Sequence, residues 1–260
     1  MEQLKDISSL AGFPLAVNLI DGMLLLSNDV TSDPPGLRTF EEMRPLFADV
    51  ATNGPSVLYH LYRSVRRDRD TQALERAGLR YDITVTMPGT VNGEYIKTAG
   101  HYHSRGPAGI TYPEVYEVLH GQAAFLLQKA DNPELLSPQI EEVWLVVCKA
   151  GEKIVIPPDC GHVTINIGTE PLVVSDLITL NSRNVYISFQ ELRGAAYYLL
   201  QDQSKPEDFR LIKNPNYTNA LPTPRLLSSS RWHPFLPERQ PLYTLFLTSP
   251  NIFDFLDTPA

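Results

Sequence analysis

Two histidines one residue apart, His101 and His103, are followed by Glu114 and, about sixty residues later, by His162. Three imidazoles and a carboxylate are a donor set for a divalent cation. The spacing has a physical reading. On a strand, residues i and i+2 point to the same face, so His101 and His103 can aim both rings at one point while Tyr102 faces away. A glutamate on the adjoining strand and a histidine on a further strand would complete the site. Three histidines with one carboxylate suit Fe2+, Mn2+, Ni2+ or Zn2+ and do not choose among them. The remaining histidines, His60, His120 and His233, show no such grouping and are assigned no role.

Such a site needs strands to hold it, and the stretch from Arg80 to Thr179 supplies them. Eight apolar or alternating runs follow one another: RYDITVTM, EYIKTAGHYH, EVYEVLHG, AAFLLQK, EEVWLVVCK, KIVIPP, HVTINIG and PLVVSDLIT. Turn residues separate them, among them Pro88-Gly89, Asn92-Gly93, Gly121, Gly151, Pro157-Pro158 and Gly168. Short strands at this spacing predict an antiparallel sandwich or barrel, an all-β core.

The flanks differ from this core. Residues 1–79 read as a short α/β extension. Leu15 to Leu26 predicts two strands around Asp21-Gly22. Thr39 to Val50 predicts a helix with Thr39 and Glu42 at capping-box spacing and Pro45 as a break. Val57 to Val65 predicts a strand, and Thr71 to Ala77 a helix closed by Gly78. Residues 80–200 form the expected barrel. Residues 201–260 carry nine prolines among Trp232, Phe235, Leu245, Phe246, Phe253 and Phe255. Proline blocks regular elements, while the aromatics argue against disorder. The expectation is an extended arm packed over the barrel or over a partner subunit.

Composition narrows the partners. A net charge of −8 and a pI near 5.3 argue against nucleic acid or an anionic membrane, both of which need a basic face. Cys148 and Cys160 make no disulfide framework and read as reduced thiols. The first residues, MEQLKDISSLAGFP, are too acidic and too weakly apolar for a signal peptide, and no apolar run approaches the roughly 20 residues that span a bilayer. The expected compartment is the cytoplasm.

Further spacings sharpen the metal site. Glu114 is followed by six residues and Gly121. Gly151 is followed by five residues and Pro157, and His162 by three residues and Asn166. This resembles the two motifs of the cupin superfamily, Glu-x6-Gly and Gly-x5-Pro-x-Gly-x2-His-x3-Asn. Asp159 stands where the second motif has glycine, and ten residues separate His103 from Glu114. The resemblance also decides between Glu114 and its rival Glu117: only Glu114 keeps the spacing to Gly121. It implies a double-stranded β-helix, the cupin jelly-roll barrel.

A narrower resemblance lies in three runs: Thr84 to His103, with Pro88-Gly89 and Thr98-Ala-Gly100-His101; Glu114-Val-Tyr116 to Gly121; and Pro157-Pro158 with His162 to Pro171. Together they are similar to the cupin-type (archaeal-type) glucose-6-phosphate isomerases over Tyr59 to Tyr186. That resemblance implies interconversion of glucose 6-phosphate and fructose 6-phosphate, a step of glycolysis and gluconeogenesis, and a homodimer. It implies one divalent metal per subunit, Fe2+ first, on His101, His103, Glu114 and His162. Glu114 and Tyr186 would be catalytic. Thr84, Thr98 and Gly100 would hold the phosphate, with Lys97 or Arg80 as charge partners, although Lys97 also reads as a solvated strand residue. Tyr59 or Tyr62, Tyr95 and Tyr116 would surround the sugar. The pattern breaks at Ile178 and Asn184, where the family carries a tyrosine and a histidine. That break leaves two other readings in play: a cupin dioxygenase on another small molecule, and a non-catalytic sugar-phosphate-binding cupin.

Overall fold

The apolar and alternating runs after Leu79 build two sheets that face one another. A computed structural model describes residues 3–49, 53–202, 208–232, 236–237 and 240–259. Its main strands are β1 (Gly36–Thr39), β2 (Val57–Tyr62), β3 (Leu79–Thr86), β4 (Glu114–His120), β5 (Gln122–Ala130), β6 (Ile140–Lys149), β7 (Lys153–Ile156), β8 (Cys160–Asn166) and β9 (Leu172–Thr179). One sheet has the order β7-β4-β9-β3-β2-β1. The other runs β8-β5-β6 and is extended by the strand Arg225–Ser228. Every pairing is antiparallel except that of Arg225–Ser228 with β6. This is the all-β, two-sheet core expected from the motifs.

Period two gives the first sheet two different faces. On β4, Tyr116 and Val118 turn inward with Phe125, Leu127, Val146 and Ile156 of the opposite strands. Val115 and Leu119 turn outward with Tyr81, Ile83 and Val85 of β3 and Leu177 of β9. The outer face is covered as well, by Phe13, Tyr243, Phe246 and Phe253. Both faces are therefore dry, which is why β9 is buried along its whole length.

The sheet runs across residue 79: β1 and β2, from the expected N-terminal extension, complete its edge beside β3. Further upstream, Leu15–Asn18 and Leu24–Leu26 pair as expected, and the capping box of Thr39 and Glu42 opens a short helix that Pro45 tightens into a 3-10 turn. The run from Glu94 to His103 is not the single strand its alternation predicts. Glu94–Tyr95 joins a separate four-stranded sheet with Thr90–Val91, Tyr197–Gln201 and Phe209–Lys213. The chain then follows β8 through isolated bridges, and Tyr102–His103 pairs with Asn184–Val185. Gly100 is the reason. Its φ of +73° breaks the extended path, and a side chain there would meet the Phe189 ring at 2.6 Å.

The proline-rich arm folds back on its own barrel where it is described. Trp232 donates its indole N–H to the Val155 carbonyl at 2.7 Å. The helix Leu242–Thr248 buries Leu242, Tyr243, Leu245 and Phe246 in the outer core. His233, Pro234 and Phe235 lie outside the described residues.

Candidate metal centre and cavity

β8 and the segment after Gly100 bring His101 and His162 face to face. His101 N–H donates to the His162 carbonyl at 3.2 Å, and His162 N–H donates back at 3.0 Å. Their rings lie 4.4 Å apart between centroids, and the His103 ring is 5.2 Å from each. Glu114, the first residue of β4, places Oε2 at 3.2 Å from His162 Nε2 and 3.4 Å from His103 Nε2. Ligand atoms of all four residues fall within 4.8 Å of one another.

The chemistry of these atoms fits a cation. His103 Nδ1 lies 2.8 Å from the Tyr112 carbonyl, which can only accept, so the proton sits on Nδ1 and the Nε2 lone pair faces the cluster. His103 Nε2 and Glu114 Oε2 are buried with no hydrogen-bond partner. Orphaned polar atoms in a dry interior are destabilising unless a ligand satisfies them. Burial, then the neighbouring His162 and His103, pushes the His101 imidazole well below its ordinary pKa. Burial lowers His162 too, against the pull of Glu114. Both rings are thus neutral, the form that binds metal. Burial opposes ionisation of Glu114, yet the adjacent His103 and His162 imidazoles outweigh it and hold this carboxyl well below the usual range. Glu117, its sequence rival, faces the opposite side and pairs with Lys153 at 2.9 Å.

Beside the cluster lies a cavity whose wall includes His101, Glu114, Tyr116, Tyr186, Tyr59, Thr84, Thr98 and Thr164. Asn184 Nδ2 donates to the Tyr186 hydroxyl at 3.0 Å, so the asparagine anchors that tyrosine. Tyr116 Oη lies 3.2 Å from His162 Nε2. Burial pushes the Tyr59 hydroxyl up to about 12 despite nearby Arg38. Gly100 makes the turn before His101 and is not part of the wall. Tyr95 and Tyr62 also lie elsewhere. Tyr95 packs with Tyr102 and Leu126 in a core cluster, and Tyr62 turns outward, its hydroxyl accepting from Leu24 N–H at 3.0 Å. Lys97 is neither solvated nor in the cavity: it is buried, ion-paired with Glu94 and bonded to the Leu46 carbonyl at 2.8 Å. Arg80 binds Asp82 at 2.8 Å. Ile178 is buried in β9.

The cavity also contains charged residues that the sequence reading missed: Arg38, Arg63 and Asp176. Asp176 is only 2% exposed. Burial first, then the Glu114 and Asp82 carboxylates, raises its carboxyl well above the usual range, against the pull of Arg63. The one signal for it in the sequence is an aspartate at an inward position of the apolar run LVVSDLIT.

The family model for Glucose-6-phosphate isomerase (GPI) matches residues 32–214. The glucose-6-phosphate isomerase of Thermococcus gammatolerans is 25% identical over 187 residues, which cover 70% of this chain and 87% of that protein. That of Thermococcus litoralis is 26% identical over 175 residues, 65% and 82% of the two chains. That of Pyrococcus abyssi is 24% identical over 187 residues, 70% and 87%. Among solved structures, hazelnut vicilin aligns with 52% of this chain and 33% of its own at 14% identity, with a TM-score of 0.35. The matched span takes in β1 to β9, the histidine–glutamate cluster and the cavity wall, and the chain belongs to the glucose-6-phosphate isomerase family.

Proposed function

We propose that this enzyme interconverts glucose 6-phosphate and fructose 6-phosphate and depends on one divalent metal, Fe2+ first and Mn2+, Ni2+ or Zn2+ after it. The observation that carries the reading is the buried cluster of His101, His103, Glu114 and His162 opening onto a hydroxyl-lined cavity, in a chain of this family. These four residues would hold the ion. A divalent cation supplies Lewis-acid polarisation of the sugar carbonyl, worth several kcal/mol in general.

The chain's own groups do the rest. Isomerisation moves hydrogen between C1 and C2, as a proton through an enediol or as a hydride shift, and a carboxylate beside the two carbons favours the first. Glu114, held ionised, is the group that takes the proton from one carbon and returns it to the other. Tyr186, anchored by Asn184, is the second catalytic group at the wall, and Tyr116 stands beside His162. Thr84 receives the phosphate from the first sheet, and Thr98 from the segment beside β8. Gly100 assists by setting the backbone turn, and Arg38 supplies charge beside Tyr59. The cytoplasm and a homodimer are the compartment and assembly that the family resemblance supports. Light scattering at twice the 29.2 kDa chain mass would bear out the dimer.

The test is a coupled assay on chelator-treated protein. Activity on fructose 6-phosphate should return with Fe2+, Mn2+, Ni2+ or Zn2+. Silence with every metal, on both sugar phosphates, sinks the proposal. Asn184 and Ile178, at the positions of the family's histidine and tyrosine, favour one second reading, a cupin that binds the sugar phosphate without turnover. Saturable binding with no product would establish it.

A further inference from the structure

We propose that Asp176 is a substrate-binding residue that sets which sugar the cavity accepts, by hydrogen-bonding a hydroxyl at C3 or C4. The inference rests on the isomerase reading for the orientation of the substrate, and on the register of three strands for the rest. On β9, Val174 lies opposite Thr84 of β3, and Asp176 lies opposite both Tyr116 of β4 and Asp82 of β3. Leu177 pairs with Val115, which puts the level of Glu114 at Ile178. Thr84 and Glu114 therefore stand two residues to either side of Asp176, levels about 13 Å apart along the strands. With the phosphate at Thr84 and C1–C2 at Glu114, the middle carbons of the sugar pass Asp176.

Two carboxyl groups stand side by side here, and they differ in their partners. Asp82 is saturated: it accepts from Arg63 Nη1 at 2.5 Å, Arg80 Nε at 2.8 Å and Ser64 N–H at 2.8 Å. Asp176 is as deeply buried and lines the cavity, yet its Oδ2 has no hydrogen-bond partner. An unpaired buried oxygen is destabilising, and an apolar residue would fill the position without that cost. A buried carboxyl on the wall of a substrate cavity, under those terms, is placed for a ligand donor. A sugar hydroxyl is such a donor, and a buried polar group of this kind discriminates sharply against an analogue that lacks the hydroxyl.

The experiment measures binding, so it does not depend on turnover. Metal-loaded full-length protein is titrated calorimetrically with glucitol 6-phosphate, which has no carbonyl to react, and with its 3-deoxy and 4-deoxy counterparts. Asp176→Ala should weaken glucitol 6-phosphate at least tenfold and one deoxy counterpart less than twofold, with metal content unchanged. Asp176→Val is close in volume and suited to a strand, and it carries the same expectation if the alanine variant does not fold. An equal loss for all three ligands, or no loss for any, overturns the proposal. Discriminating binding by wild-type protein that shows no turnover would remove the isomerase reading and leave the hydroxyl contact standing.

Discussion

Glu114 is asked to do two things, to bind beside imidazoles and to move a proton, and its neighbours separate these in experiment. His162→Ala deletes a ligand nitrogen, so bound metal should fall severalfold on elemental analysis. Glu114→Gln keeps an oxygen at the site but removes the base. Turnover should drop by roughly 10²- to 10⁴-fold while metal falls less than in the histidine variant. A larger loss of turnover in Glu117→Gln would place the carboxylates in the wrong register. Glu117 has its own signature. Burial raises its carboxyl from the ordinary 4.5 to about 7, against the favourable pull of Lys153 and Leu242 N–H. Between those pH values the folded chain holds more protons than the unfolded chain. The stability from this group is therefore present below pH 4.5 and is lost as pH rises through 7, on the order of 3 kcal/mol. Unfolding midpoints should show Glu117→Gln gaining on wild type across that window, and parallel profiles would refute the assignment. The four-residue cluster was legible because period two and motif spacing act locally. Asp176 was not, since a lone aspartate in an apolar run says nothing until cross-strand register sets it beside Tyr116 and Glu114.

The element that sets the approach to His101 is a turn at Gly100. The alternation of Glu94 to His103 reads straight through Gly100, so the sequence suggested one continuous strand. The backbone instead turns at a left-handed φ of +73°, where the Phe189 and Val163 side chains close on the glycine. Gly100→Ala combines strain with overpacking against a buried aromatic ring, each roughly 1–3 kcal/mol. Thermal unfolding should show that loss, and excess metal should recover part of it, because ligand binding favours the folded form. A variant as stable as wild type would mean the turn is not required. The same logic explains a motif departure. Asp159, where the cupin pattern has glycine, adopts φ +59°, and aspartate is among the residues that tolerate this region. Its N–H donates to Thr111 Oγ1 at 2.6 Å, which fixes the approach to His162. Outside Glu94 to His103, strand identity from Leu79 to Thr179 was therefore readable from pattern, whereas the two turns that precede His101 and His162 depend on backbone angles that side-chain pattern does not encode.

At the scale of the whole molecule, the barrel is closed by chain that the sequence left without a motif. Residues Leu242, Tyr243, Leu245, Phe246, Phe253 and Leu256 are buried against the outer face of the first sheet. Polar contacts fix their placement. Leu242 N–H donates to Glu117 Oε2 at 2.6 Å, and the Tyr243 hydroxyl accepts from Arg67 N–H at 2.9 Å and donates to Asp70 at 3.1 Å. Each large apolar side chain buried there contributes about 1.5–3 kcal/mol. Six of them rival the 5–15 kcal/mol net stability of an ordinary domain. Removing residues 241–260 should therefore yield insoluble or unfolded protein rather than a milder enzyme. Leu242→Ala gives the graded version: a loss of about 2–5 kcal/mol in denaturant unfolding. Because Glu117 and Glu114 share one strand, loosening this face should also weaken metal retention, although no residue of the cluster is touched. A truncated chain that melts cooperatively near wild type and keeps its metal would show instead that the barrel stands alone and that the tail serves a surface role.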